Sequence, residues 1–333
     1  MLTVRKFAFT AAVLLAGLLA MNLVFAFLTR NSVPRRVMRR TRGSESATVL
    51  ALGNSLVASG FDTTAFDVGA GLAAPRASVN LGLGATSPVE HLLLLRYALA
   101  HGMRPCLVVY GFYDFQLTDP GVFTTSDLIG NNAMVYYVEP FYARWFLTLS
   151  FHDAIEFRVM QLFPMLADRG AAWAKIEILR RDLAQQGMPL ERNNQFGRAS
   201  DFSLLEAASA EDFRRQCESS MKLPLAPAVT ELLRQASSAG ATTAVVEMPM
   251  RQAHRSQFYD TACWSQYVTR IGNLLKPYRA NFTDASVWMQ NDSLFEDPLH
   301  LSAAGAEEFS RRLGSTLGPR SVNLEPAPAG ESR

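Results

Sequence analysis

Thr48-Val49-Leu50-Ala51-Leu52-Gly53-Asn54-Ser55 is the stretch from which the rest of the chain can be read. Residues 48–52 are short, apolar and lack the polar alternation of a strand with one wet face, so they read as a strand buried on both sides. Gly53 ends it with a residue that tolerates a sharp turn. Asn54 and Ser55 follow, and both residue types cap helix N-termini. Taken alone, the tripeptide is a turn feeding a helix. At the C-terminal end of a strand in an open α/β sheet, it also puts a hydroxyl where such sheets carry their sites.

The pattern then repeats. Residues 77–81 read as a second strand, 105–110 as a third stopped by Gly111, 242–248 as a fourth stopped by Pro249, and 281–283 as a short fifth. Between them, 88–101 is helical with Pro88 in its first turn, and 226–239 is a helix closed by Gly240. Residues 257–275 read as one helix and 302–317 as the last, with Ser302 as N-cap and Gly318 as stop. Strands alternating with helices imply an α/β domain over 47–317, built on a parallel sheet of about five strands covered on both faces.

Outside this alternation the composition changes. Residues 7–28 carry no charge and follow Arg5 and Lys6. About 20 apolar residues span a bilayer as a helix, and 26–28 make a poor cleavage site. This predicts an uncleaved anchor over 1–29, then a basic linker over 30–46 with Arg30, Arg35, Arg36, Arg39, Arg40 and Arg42. The excess of arginines after the helix would put that side in the cytoplasm; lying along anionic headgroups is the other reading. With 333 residues and a net charge of +2, nothing global points to nucleic acid. Cys106 reads as core packing. Cys217 and Cys263 fit no zinc spacing, and either pair in an oxidising compartment or stay free. Residues 121–222 read as a mostly helical insertion rich in aromatics, among them Trp145 and Phe151. These either pack on the domain or touch membrane or a membrane partner. The Pro- and Gly-containing tail over 318–333 reads as disordered.

A second motif lies far from the first. Asp297-Pro298-Leu299-His300 precedes the last helix. An imidazole titrates near neutral pH and suits proton abstraction from a serine. A carboxylate three residues earlier in a turn can reach one ring nitrogen and set the tautomer. The bland alternative is a turn with a surface histidine. His91, His101, His152 and His254 lack an acid so placed. A developing oxyanion needs fixed donors. The Ser55 N–H is one candidate. The Gly84 N–H is another, because Gly82-Leu83-Gly84 follows the second strand.

Together these blocks resemble the SGNH, or GDSL-like, hydrolase family. Gly53-Asn54-Ser55 matches its Gly-Asp-Ser block with Asn for Asp. Asn80, Gly82 and Gly84-Ala85-Thr86 look like its second block, and Asp297 to His300 its last. Its third block, Gly-x-Asn-Asp, is partly present in Gly111-Phe112-Tyr113-Asp114, where Tyr113 replaces the oxyanion Asn. The resemblance covers about 46–120 and 225–317. It implies a three-layer, flavodoxin-like α/β fold and an acyl-Ser55 intermediate. It further implies His300 as base, Asp297 as its orienting acid, Ser55, Gly84 and doubtfully Tyr113 as oxyanion donors, and Gly53, Asn54, Asn80 and Asp114 as support. Asn131 and Asn132 are alternative donors. No metal or cofactor is implied. Anchored members with a helical insertion resemble proteins of D-alanyl transfer and alginate O-acetylation, which implies an extracytoplasmic glycan or lipid ester and a multi-pass O-acyltransferase as partner. Two rivals stand beside this: a plain esterase, and a non-catalytic scaffold or glycan-binding subunit.

Overall fold

The structure is a computed structural model that describes residues 2–72, 77–84, 86–118, 139–146, 149–169 and 203–321. These residues fall into two compact units, one drawn from 1–40 and 122–191, the other from 41–121 and 192–333.

The larger unit is an α/β domain on a five-stranded, all-parallel sheet. The strands are β1 (Val49–Leu52), β2 (Ser78–Asn80), β3 (Leu107–Phe112), β4 (Thr242–Glu247) and β5 (Ala280–Asp284), in the order β2-β1-β3-β4-β5. β1 and β3 are buried at every residue, which explains why both read as unbroken apolar runs. Side chains alternate across the sheet. Val49, Ala51, Leu107, Val109, Ala244 and Val246 share one face and join a core with Leu56, Val57, Phe66, Phe309 and Leu313. The helices Ser55–Gly60, Thr63–Gly69 and Ala303–Ser321 pack together there. On the other face Tyr110 meets His91 of the helix Pro88–Ala100, which packs against Pro227–Ser238.

Three sequence expectations are corrected. Gly111 does not stop the third strand; it lies inside β3, paired with Val246 of β4. A methyl group there would sit 2.3 Å from Val57 Cγ2 and 2.9 Å from Met248 Sδ, so the glycine permits close packing within a strand. Residues 257–275 are not one helix: Gln252–Phe258 ends, and Ala262–Leu275 restarts with the Thr261 side chain accepting from the Trp264 N–H. Gly318 does not end the last helix, which runs to Ser321 with Gly318 lying against Ala70. Within the basic segment that follows the N-terminal apolar helix, Val33–Arg42 is helical.

The stretch 121–222 divides between the units. The helix Ser203–Ser220 belongs to the α/β unit, where Cys217 forms a disulfide with Cys263 and Phe213 packs among Phe115, Tyr259 and Trp264. The smaller unit holds the helix Leu2–Leu28, of which Val4–Leu28 is long and apolar enough to cross a membrane. The short helix Pro164–Ala167 packs on it, with Met165 N–H donating to Asn22 Oδ1. Just beyond, buried Asp168 accepts from Thr29 Oγ1 at 2.5 Å and from Arg35 Nε and Nη2 at 2.9 and 2.8 Å. The end of the tail, 322–333, lies outside the described residues.

The packing at Gly111 is open to test. Gly111→Ala is expected to destabilise by about 1–3 kcal/mol through overpacking against Val57 and Met248. In thermal unfolding of the detergent-solubilised chain, this is a melting point lower by about 3–10 °C. A shift under about 1 °C would mean that this contact is loose.

Candidate active site

Each group of the site is placed by a local device at the C-terminal edge of the sheet. Gly53 leaves β1 at φ +150, and a Cβ there would lie 2.4 Å from Val57 Cγ2 and 2.6 Å from Gly111 O, so only glycine fits. Asn54 caps the next helix, its Oδ1 accepting from Leu56 N–H at 2.9 Å while its Nδ2 donates to Gln116 Oε1 at 3.0 Å. Ser55 is therefore the first residue of Ser55–Gly60. Asn80, at the end of β2, pins that helix: its Nδ2 donates to Val57 O at 2.9 Å and Phe61 O at 2.8 Å, and its Oδ1 accepts from Gly82 N–H at 2.8 Å.

The loop after β2 runs along this helix. A Cβ on Gly82 would meet Ala58 N at 2.5 Å, and one on Gly84 would lie 3.9 Å from Ser55 Cβ. Gly84 is exposed beside Ser55. Neither the Ser55 N–H nor the Gly84 N–H is spent on a hydrogen bond among the described residues. Behind the loop, Thr86 Oγ1 donates to Leu83 O at 2.6 Å and meets His91 Nε2 at 3.0 Å, and His91 Nδ1 meets Tyr110 Oη at 3.2 Å. Burial pushes His91 down to about 3, so it is a neutral strut. Burial likewise raises Glu90 to about 7, against the hydrogen bonds from Ser87.

The opposite wall is the loop before the last helix. Asp297 Oδ1 accepts from the N–H groups of Leu299 and His300, both at 2.8 Å. This turn fixes the carboxylate and leaves Oδ2 for His300 Nδ1 at 2.7 Å. His300 Nε2 then lies 2.9 Å from Ser55 Oγ. Burial by itself would raise the Asp297 carboxyl, but its bonds to the His300 ring and the two backbone N–H groups hold it below the usual carboxylate range. The loop is tied down by Arg251, whose N–H donates to Pro298 O at 3.0 Å and whose guanidinium pairs with Asp292.

A hydroxyl, an imidazole and a carboxylate in this hydrogen-bonded sequence can pass a proton from Ser55 to His300 and stabilise the resulting imidazolium. The structure brings Ser55, His300, Asp297 and Gly84 together, with Gly53, Asn54 and Asn80 as supports. Tyr113 is not part of the hydrogen-bonded sequence. It follows β3, packs against the sheet core, and makes no hydrogen bond to the other three side chains. Burial and then the Asp114 charge raise its phenol. Asp114 sits at φ 58 in the turn after β3. Asn131, Asn132 and Ala85 lie outside the described residues.

Sequence reasoning missed Gln116, and it missed Glu247. Glu247 ends β4 at the same sheet edge, 1% exposed, accepting from Trp264 Nε1 at 3.0 Å with Arg255 at 3.6 Å. Burial, with the Asp284 charge beside it, pushes it up to about 7. Its signal was present: one carboxylate closes an otherwise uncharged strand.

The depressed Asp297 carboxyl has a measurable sign. Below about pH 4 the unfolded chain takes up a proton that folded Asp297 still refuses, so its contribution is full above that pH and is lost as pH falls through the folded value. The melting-temperature advantage of wild type over Asp297→Asn should be constant near neutrality and shrink towards pH 3. An advantage unchanged at pH 3 would contradict the hydrogen bonds described.

No family model matches the chain, and neither does any curated protein. Among solved structures, the chain is similar to the crystal structure of a protein from Bacteroides fragilis NCTC 9343 provisionally assigned as an acylhydrolase. That alignment covers 87% of this chain and 97% of that one, at 9% identity and a TM-score of 0.41. At that level of likeness, no residue role or substrate passes from one protein to the other.

Proposed function

We propose that this chain is a membrane-anchored serine acyl-ester hydrolase or O-acyltransferase. The observation that carries the reading is the continuous Ser55–His300–Asp297 hydrogen-bond sequence. His300 Nε2 takes the proton as Ser55 Oγ attacks the acyl carbonyl. The oxyanion meets the Ser55 and Gly84 N–H groups, with Tyr113 as a third candidate. Collapse of that intermediate passes the proton from His300 to the leaving oxygen and leaves an acyl-Ser55 ester. A water or a glycan hydroxyl then gives its proton to His300 and takes the acyl group, restoring Ser55.

The substrate is an extracytoplasmic glycan or lipid ester, and a multi-pass O-acyltransferase is a fitting partner. The Cys217–Cys263 disulfide supports the extracytoplasmic side, because such bonds persist in oxidising compartments. It weighs against the arginine flank, which by the positive-inside rule favours the other orientation. The second reading is a catalytically silent scaffold or glycan-binding subunit. The absence of an Asn at position 113 favours it.

The two readings separate with a fluorophosphonate probe on the solubilised chain. Labelling should map to Ser55, vanish in Ser55→Ala, and fall nearly as far in His300→Ala, since the groups act as a unit. Well-folded wild type that takes no label would establish the scaffold reading. A nitrophenyl ester panel with and without a glycan acceptor then divides hydrolysis from transfer. For topology, alkaline phosphatase fused after the full chain should be active, since it matures only where disulfides form. An inactive fusion with a bright cytoplasmic reporter would remove the extracytoplasmic substrate.

A further inference from the structure

The helix Phe151–Leu162 in the smaller unit has two apolar faces. Ala154, Phe157 and Met160 are buried. Phe151, Ile155, Val159 and Leu162 are exposed, at 59%, 45%, 40% and 71%. Their spacing of four, four and three residues puts all of them on one stripe of a helix. His152 and Arg158 flank the stripe. Just before it, Trp145 is 83% exposed, and Phe141, 47% exposed, has its ring 5.9 Å from that of Phe151. A helix apolar on two opposite sides needs a second apolar surface besides the one it packs on.

The connection to the N-terminal helix says what that surface is. Leu162 leads through Phe163 straight into Pro164–Ala167, which lies on the helix Leu2–Leu28. Met165 N–H bonds to Asn22 there, and the C-cap residue Asp168 bonds to Thr29 and Arg35. Asn22 and Thr29 span about 10 Å of helix at 1.5 Å per residue. Val4–Leu28 is about 37 Å long against a hydrocarbon core of about 30 Å. The attachment therefore lies at the end where the spanning helix leaves the core. Exposed Arg30, Arg36 and Arg39 follow that end in the chain, and Arg144 and Arg158 on the insertion are exposed too. A tryptophan, an apolar stripe and neighbouring arginines are the make-up of a bilayer interface.

We infer that residues 141–146 and the helix Phe151–Leu162 form a second membrane contact. Its helix lies in the plane of the leaflet where the N-terminal helix emerges, with Phe151, Ile155, Val159 and Leu162 among the acyl chains and Trp145 at the headgroups. The buried Asp168–Arg35–Thr29 cluster holds it at that height. This inference is independent of the chemistry at Ser55 and rests only on the anchor crossing a bilayer.

The test is fluorescence of the full chain in vesicles of phosphatidylcholine with phosphatidylglycerol, using lipids brominated at shallow or deep acyl positions. The Trp145 signal is the difference between wild type and Trp145→Phe. It should fall about threefold with shallow bromines and less with deep ones. In Phe151→Asp/Leu162→Asp that quenching should disappear while circular dichroism is unchanged. Trp145 emission unaffected by bromine at either depth would overturn the proposal and leave the stripe to a protein partner. Full quenching in the well-folded double variant would overturn it as well. Should the double variant misfold, the wild-type measurement decides alone.

Discussion

Val57 fills a hollow that two glycines leave open. A Cβ on either Gly53 or Gly111 would overlap its Cγ2, and one on Gly53 would also strike the Gly111 carbonyl. This contact brings the helix Ser55–Gly60 down onto β3 immediately after β1 ends. Interiors are close-packed and transmit small volume changes, so the position of Ser55 is set by space that must stay empty of methyl groups. Asn80 completes the clamp from the other side with its bonds to Val57 O and Phe61 O. Every other distance in the site is measured from a helix held in this way.

The polar groups at the sheet edge follow a division of labour visible in their environments. His91 is fully buried and kept neutral, bridging Thr86 and Tyr110 behind the loop that carries Gly84. His300 is reached by solvent and joins an acid on one ring nitrogen and a hydroxyl on the other. Glu247 and Asp297 are likewise two carboxylates with opposite fates. Burial beside another acid raises the first, and donors from a turn lower the second.

Much of this was legible in the chain, for physical reasons. β1 and β3 announce themselves because strands buried on both faces read as nearly unbroken apolar runs, and β4 does so through Ala244, Val245 and Val246. The Asp297–His300 pairing is local, a turn closed within three residues. Gly111 was misread because a glycine inside a strand and a glycine ending one look alike until Val57 and Met248 are placed against it. The break at Thr261 was hidden because the apolar period continues across it from one helix to the next. Asn80 is visible as a polar residue ending a strand, but its partners lie 19 and 23 residues away. The attachment of Asp168 to Thr29 and Arg35 left no trace, since nothing in sequence links positions 139 apart.

Ser55 and His300 are separated by 245 residues, and β2, β3, β4 and β5 lie between them in the chain. During synthesis the nucleophile emerges long before the base. Until β4 and β5 have been added beside β3, the loop bearing His300 has no platform. Contacts between such distant segments form late and slowly. The relay is therefore incomplete until the segment that follows β5 has been made, and its completion reports that the helix after His300 has docked.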